Sequence, residues 1–401
     1  MKLTISTLLV LALCVSAGIT EAAPQSKNII ENVFTLELKF GDKDIPDEFL
    51  LVRPVMGIGI ALNGDIIVSD ECKLKVFDTS GKPKKIVGRQ GQGPGEFGID
   101  PLPIITENGN ICAVDVIRKI YSLFSSNYSL IETKNLQNDL LFSKFAQEKG
   151  WSLAYNFVYP YSHNEIYIYT QAFGSGRTFE ERKNYNIILY QNGEKVTTIV
   201  ESPQERIAFK STFSIDLPRG RLIQKLLPEK KVVYSETHKD KVSENGKWFY
   251  IIYEYNLNTL QRRMLIKREY TPAAIPDSII HPEKKPGYNG DRVVSSIGRV
   301  DITLKEYDQY KTELLKELKV YPGIQSIFYD GNLLFVQTYN YEKNKGWLVD
   351  IFNGTTGAYL RSAYFPFIPV IKDGYAYRSV RSADEFPYIE KYKINPAIYG
   401  K

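Results

Sequence analysis

Three aspartates are the residues whose surroundings most suggest chemistry. Asp70 ends the apolar run Ile66-Ile67-Val68-Ser69, and Asp115 ends the run Ile111-Cys112-Ala113-Val114. Asp330 opens the turn Asp330-Gly331-Asn332, just before Leu333-Leu334-Phe335-Val336. Carboxylates brought together from separate elements suit a hard cation such as Ca²⁺. Aspartate at a strand end also caps its own turn with no further purpose. Arg118, three residues beyond Asp115, adds a positive contact, and Tyr339 adds an aromatic wall. These five residues form the candidate ligand site, provided that the fold makes them converge. No catalytic residue is assigned, and no metal ligand set either. His163, His238 and His281 share no ligand spacing. Neither a Gly-x-Ser-x-Gly elbow nor a Cys/His pair is present.

The elements that must position these residues recur along the chain. Asn63-Gly64-Asp65-Ile66-Ile67-Val68-Ser69-Asp70 returns as Asn108-Gly109-Asn110-Ile111-Cys112-Ala113-Val114-Asp115. The spacing is about 45 residues, the period of a propeller blade. Asn-Gly makes a tight turn because both residues tolerate positive φ. The apolar run after it reads as a buried inner strand. A third unit starts at Asn164, a fourth runs from Val232 to Ile266, a fifth starts at Asp330, and a sixth covers Pro369 to Tyr392. The isolated strand Val33 to Phe40 is expected to complete the sixth unit as its outermost strand, leaving no unpaired seam. Residues 271–300 carry Pro272, Pro276, Pro282 and Pro286 and read as an irregular linker. After them Leu304, Tyr307, Leu314, Leu315 and Leu318 recur at helical spacing, which predicts a helix over 302–319 that Pro322-Gly323 ends.

At Gly88-Arg89-Gln90-Gly91-Gln92-Gly93-Pro94-Gly95-Glu96-Phe97 the chain resembles the bacterial exported six-bladed β-propeller family related to NHL repeats. The Asn-Gly-Asp-Ile-x-Val-x-Asp strand and the Phe-Asp-x-x-Gly-Lys turn support the likeness, which is good over residues 54–130 and 321–366. It implies an all-β fold: a six-bladed β-propeller of four-stranded antiparallel blades, with a helical insertion before the fifth. The propeller domain spans 32–396. The likeness implies architecture rather than a reaction. The glycine string itself is no phosphate cradle, because Pro94 removes a backbone donor and no helix follows Phe97. It reads as a blade-to-blade turn, with Phe97 packed between blades and Arg89 tied to a carboxylate or carbonyl.

Composition and compartment agree with that class. The 401 residues include 28 Tyr and 20 Phe but only 3 Met and 3 His, a bias toward pleated, half-buried surfaces. The net charge of +5 is spread along the chain, which argues against a nucleic-acid partner. Lys2, the apolar run Leu8 to Val15 and the small residues around Ala22 read as a cleavable leader over 1–22. No later run has membrane-spanning length. The expected product is an exported, periplasmic or extracellular monomer. Lipid anchoring at Cys14 is disfavoured by Leu13 just before it. Cys72 and Cys112 are expected as free thiols. Tyr155, Tyr159, Tyr161, Tyr167 and Tyr169 crowd the third unit and serve either inter-blade packing or ligand contact. The favoured function is non-catalytic binding or scaffolding with a protein, peptide or glycan partner and no cofactor. A calcium-assisted hydrolase or lactonase using channel carboxylates is the alternative.

Overall fold

Among the described residues six blades are each built on four antiparallel strands, and blades 3, 4 and 5 each carry a fifth, Trp151–Leu153, Lys241–Val242 and Ile29–Ile30. The structure is a computed structural model that describes residues 29–54, 57–175, 183–204, 206–209, 213–216, 221–239, 241–242, 245–276, 288–289, 292–295, 298–303, 319–381 and 386–401. Blade 1 holds Ile58–Ile60, Ile66–Asp70, Lys73–Phe77 and Pro83–Val87. Blade 2 holds Leu102–Ile105, Ile111–Asp115, Ile120–Phe124 and Leu130–Asn135. Blade 3 runs through Phe157–Ser162, Glu165–Gly174, Asn184–Asn192 and Lys195–Pro203. Blade 4 runs through Leu222–Leu227, Lys231–Glu236, Trp248–Asn256 and Gln261–Tyr270. In blade 5 the strands are Ser326–Asp330, Leu333–Glu342, Gly346–Asn353 and Tyr359–Phe365. Blade 6 takes Val370–Lys372, Tyr375–Val380 and Tyr388–Ile394 from the end of the chain, and Phe34–Phe40 from its beginning.

That last pairing closes the ring as the isolated N-terminal strand predicted. Phe34–Phe40 lies antiparallel to Tyr388–Ile394, with Phe34 opposite Ile394 and Phe40 opposite Ile389. Closure leaves neither end of the ring as an open sheet edge. The first strands of blades 6 and 1 touch, as do those of blades 1 and 2 and of 5 and 6. Buried apolar clusters fill the seams. Val76, Phe97, Ile111 and Phe124 join blades 1 and 2, while Tyr250, Ile252, Leu334 and Phe352 join blades 4 and 5.

The position of the apolar runs corrects one expectation. Ile66–Asp70 and Ile111–Asp115 are the second strands of their blades, and Ile58–Ile60 and Leu102–Ile105 lie inside them. Neighbouring blades cover both faces of a middle strand, so every residue of these two strands is buried. A strand on the axis has one edge open and needs no such continuous run. The tyrosines of the third unit pack mainly between blades: Tyr155, Tyr159 and Tyr167 are buried, and Tyr167 donates to Gln224 of blade 4 at 2.9 Å.

The helix predicted over 302–319 falls largely on residues 304–318, outside those described. Its first two positions belong instead to the strand Gly298–Thr303, where Thr303 pairs with Arg292. β-Branched Ile302 and Thr303 suit that strand better than a first helical turn. The described α-helix is Leu140–Lys149, between blades 2 and 3. Asp139 caps it by accepting from Leu141 N–H at 3.0 Å and Phe142 N–H at 3.3 Å, and left-handed Gly150 ends it. Its apolar period is short, so only the Asp and Gly at its ends announced it in the sequence. Among the described residues no helix is long and apolar enough to cross a membrane.

Candidate functional site

Strand order assigns each candidate residue to a face of the ring. Asp70 and Asp115 end second strands and so lie at the turns between strands 2 and 3. Asp330 ends a first strand, at the turn between strands 1 and 2, on the opposite face. Antiparallel alternation makes this unavoidable. The carboxylates therefore do not converge as the sequence suggested. Each is instead occupied locally. Asp70 accepts from Val52 N–H at 2.8 Å, Arg53 N–H at 2.7 Å and Lys75 Nζ at 2.9 Å. Lys75 is itself fully buried and also reaches Glu71 at 2.7 Å. Asp115 accepts from Gly98 N–H at 2.8 Å and Arg118 N–H at 3.0 Å. Asp330 accepts from Asp373 N–H at 2.7 Å, Gly374 N–H at 2.9 Å and the Tyr399 hydroxyl at 2.7 Å. These aspartates pin inter-blade segments, and their lone pairs are committed to that task.

Arg118 has a similar structural duty. Its guanidinium donates to the carbonyls of Gly91 at 2.9 Å, Gln92 at 2.8 Å and Glu96 at 3.0 Å, which fixes the glycine string from below. The rest of that string follows the sequence reading. Arg89 pairs with Glu96 at 2.7 Å, and Phe97 is buried against Phe124 with centroids 6.3 Å apart. Gly88 has φ +73°, and a Cβ there would stand 2.3 Å from the Phe97 ring. Cys72 and Cys112 are free, and burial raises both thiols above the ordinary value.

Tyr339 opens onto a large concavity, at the same strand 2–3 face as Asp70 and Asp115 but at blade 5 rather than at blades 1 and 2. The cleft measures about 980 Å³ and lies between blades 4 and 5. It is bounded by the end of strand Gln261–Tyr270, the segment 271–276, and the strand 2–3 end of blade 5. Tyr339 stacks parallel on Tyr321, with centroids 4.4 Å apart and planes 3° apart. Tyr341 packs on Trp347 at 5.0 Å and is itself 57% exposed, so its ring is presented to solvent. Gln325, Thr338 and Asn340 also line the cleft and bring amide and hydroxyl groups to it.

A buried ion pair forms the floor. Arg268 of blade 4 donates to Asp350 of blade 5 at 2.7 Å, and both side chains are nearly inaccessible. Asp350 also accepts from Tyr250 at 2.9 Å and Ser362 at 2.6 Å, and the Arg268 guanidinium lies 3.7 Å above the Tyr359 ring. Burial alone would lower the Arg268 pKa, but the charge and hydrogen bond of Asp350, together with Tyr250 and Tyr359, more than offset it and the net shift is upward. Burial, then the same carboxylate, pushes the Tyr250 hydroxyl well up. Burial also raises Tyr321 and Tyr339. The cleft thus presents neutral phenols over a fixed, internally satisfied charge pair. Arg268, Asp350, Tyr321 and Trp347 escaped sequence reading. Asp350 left one legible signal, a lone charge inside Leu348-Val349-Asp350-Ile351-Phe352. Nothing local singles out Arg268 or relates Tyr321 to Tyr339.

Residues 46–217 match a protein-family model described as a 6-bladed beta-propeller. The chain is a six-bladed β-propeller. No curated protein matches the propeller. Among solved structures it is similar to a Bacteroides fragilis protein described as exported, at 14% identity and a TM-score of 0.42, over 92% of this chain and 98% of that one. It is also similar to a member of the duf4221 family from Bacteroides vulgatus, at 12% identity and a TM-score of 0.44, over 91% and 99% of the two chains. Virginiamycin B lyase from Staphylococcus aureus is similar at 8% identity and a TM-score of 0.37, over 90% and 100%. At such identities the likeness says nothing about what the propeller binds.

Proposed function

We propose that this propeller is an exported, non-catalytic binding protein whose cleft between blades 4 and 5 receives a glycan. The arrangement of rings at that cleft carries the reading. Parallel Tyr321 and Tyr339, with exposed Tyr341 on Trp347, offer flat apolar faces beside amide and hydroxyl groups. Sugars present apolar C–H faces ringed by hydroxyls, and rigid tyrosines match both at small entropic cost. A cleft of about 980 Å³ accommodates several sugar rings. The calcium-assisted alternative draws less support, because the carboxylates it would use already accept backbone N–H groups, Lys75 or the Tyr399 hydroxyl. The apolar leader in residues 1–22 supports export. Trp347 lines the cleft, so its fluorescence reports occupancy directly. Titration with a panel of neutral oligosaccharides is expected to change that fluorescence saturably, and Tyr339→Ala to weaken binding by about tenfold or more. A panel without a binder, or a binder indifferent to Tyr339→Ala and Tyr341→Ala, would sink the proposal.

A further inference from the structure

A second cavity lies on the axis of the ring and has a different character. It measures about 500 Å³ and is lined by the first strands of blades 1, 2, 3, 4 and 6. Its wall is mostly apolar, with Ile58, Ile60, Leu102, Phe157, Leu226 and Val370 among the contributors. It reaches the face of the strand 1–2 turns, since Leu62, Glu107, Pro228 and Lys372 stand at its mouth. Into this apolar tube projects Lys225, from the middle of Leu222–Leu227. Gln224, Leu226 and Leu227 beside it also line the cavity, and Gln224 accepts from Tyr167.

Lys225 differs from the other interior cations of the molecule. Lys75 is answered by Asp70 and Glu71, and Arg268 by Asp350. Among the described residues no carboxylate lies within ion-pair distance of Lys225. Lys372, at the mouth, pairs at 3.3 Å with Asp373, which is 68% exposed. The Lys225 side chain is exposed to water in the channel, with protein on the walls around it. Withdrawal from bulk water lowers its pKa, and the Lys372 charge lowers it further. Lys225 thus stands exposed in the channel, with no carboxylate at ion-pair distance among the described residues, and is open to an anionic group.

We infer that the axial channel binds an amphipathic organic anion, with Lys225 as the counter-charge. The ligand class is an apolar body, the size of a fused bicyclic ring or a short acyl chain, bearing one carboxylate, sulfonate or phosphate. The cavity volume falls in the range of small-molecule sites, and its wall matches an apolar body. Lys225 and Lys372 outnumber Glu107 along the channel, so the tube favours a negative head group. This site is separate from the tyrosine cleft, and neither depends on the other.

The probe that tests it is 1-anilinonaphthalene-8-sulfonate, an apolar fluorophore with a single sulfonate. With the purified full chain, saturable fluorescence at one probe per chain is expected. Lys225→Met keeps the apolar stem and removes the charge, and it should weaken the probe by about tenfold or more, as expected for loss of a charged contact. The neutral analogue N-phenyl-1-naphthylamine should bind wild type and Lys225→Met alike. Tyr339→Ala should leave sulfonate binding unchanged, which separates this site from the cleft. Far-UV circular dichroism checks that each variant is folded, and Lys225→Gln replaces the methionine variant should that one fail to fold. Equal sulfonate affinity in wild type and the folded Lys225 variant would overturn the inference, and so would a loss caused by Tyr339→Ala instead.

Discussion

Replacing Asp350 by Asn probes the joint that holds the cleft together. The carboxylate joins blades 4 and 5 through Arg268 at 2.7 Å, Tyr250 at 2.9 Å and Ser362 at 2.6 Å. Asparagine keeps the shape but leaves the Arg268 cation buried without its counter-charge. It also turns an amide N–H₂ toward donors. Breaking a buried pair from one side typically costs about 3–5 kcal/mol. Unfolding entropy is about 2.1 cal/mol/K per residue, so a chain of 401 residues loses about 1.2 °C of Tm per kcal/mol. The expected drop is therefore about 4–6 °C, read by circular dichroism and matched by urea denaturation. Arg268→Met should also destabilise, while the double variant Asp350→Asn/Arg268→Met should be milder than the two effects added, because no charge then remains buried. The reasoning fails if Asp350→Asn costs under about 1 kcal/mol, the scale of an exposed pair such as Lys247–Glu269. It fails equally if the two substitutions simply add.

Other consequences follow from the same geometry. Gly88→Ala should destabilise by about 2 kcal/mol or more, since φ is +73° and the new Cβ meets the Phe97 ring; an unchanged urea midpoint would contradict this. Phe97→Ala empties the seam between blades 1 and 2 and should cost about 3–5 kcal/mol by the same assay. Burial pushes the Tyr159 hydroxyl up to about 12, although the Glu107 N–H it accepts works the other way, and burial likewise raises Tyr155 and Tyr377. The unfolded chain loses these protons near its ordinary tyrosine pKa of about 10, while the folded chain retains them. Stability is then full below about pH 10 and falls as pH rises toward about 12, so the urea midpoint should be lower at about pH 11 than at about pH 9. Equal midpoints would refute that. Deleting residues 34–40 bares the edge of Tyr388–Ile394 and should yield higher-order species in size-exclusion chromatography, where a monodisperse product would argue against closure by that strand.

Much of the architecture was legible because it depends on short-range patterns. Asn63-Gly64 and Asn108-Gly109 mark turns by their own backbone preferences, and the apolar runs behind them mark strands covered on both faces. The glycine string announced a blade junction, because Gly88 and Phe97 contact each other within ten positions of chain. Phe34–Phe40 was recognisable as a strand without a local partner, and closure gave it one. Which strand of a blade stands on the axis was a different matter. A continuous apolar run reports coverage on two faces, and that condition belongs to the middle strands rather than the innermost.

The sites required the ring itself. Asp70, Asp115 and Asp330 look alike in sequence, but the first two end second strands and the third ends a first strand, so antiparallel alternation sends them to opposite faces. Their backbone partners at positions 52, 98 and 373 are 17 to 43 residues distant, and turn propensity says nothing about such pairings. Tyr339 gains its parallel partner Tyr321, and Arg268 its carboxylate Asp350, only because neighbouring strands and blades close against each other. Lys225 is one lysine among many until the first strands of five blades line an axial cavity and place it on the wall. Residue types and turn spacings determined the blades; ring closure, a relation between distant chain positions, decided which side chains share a cavity.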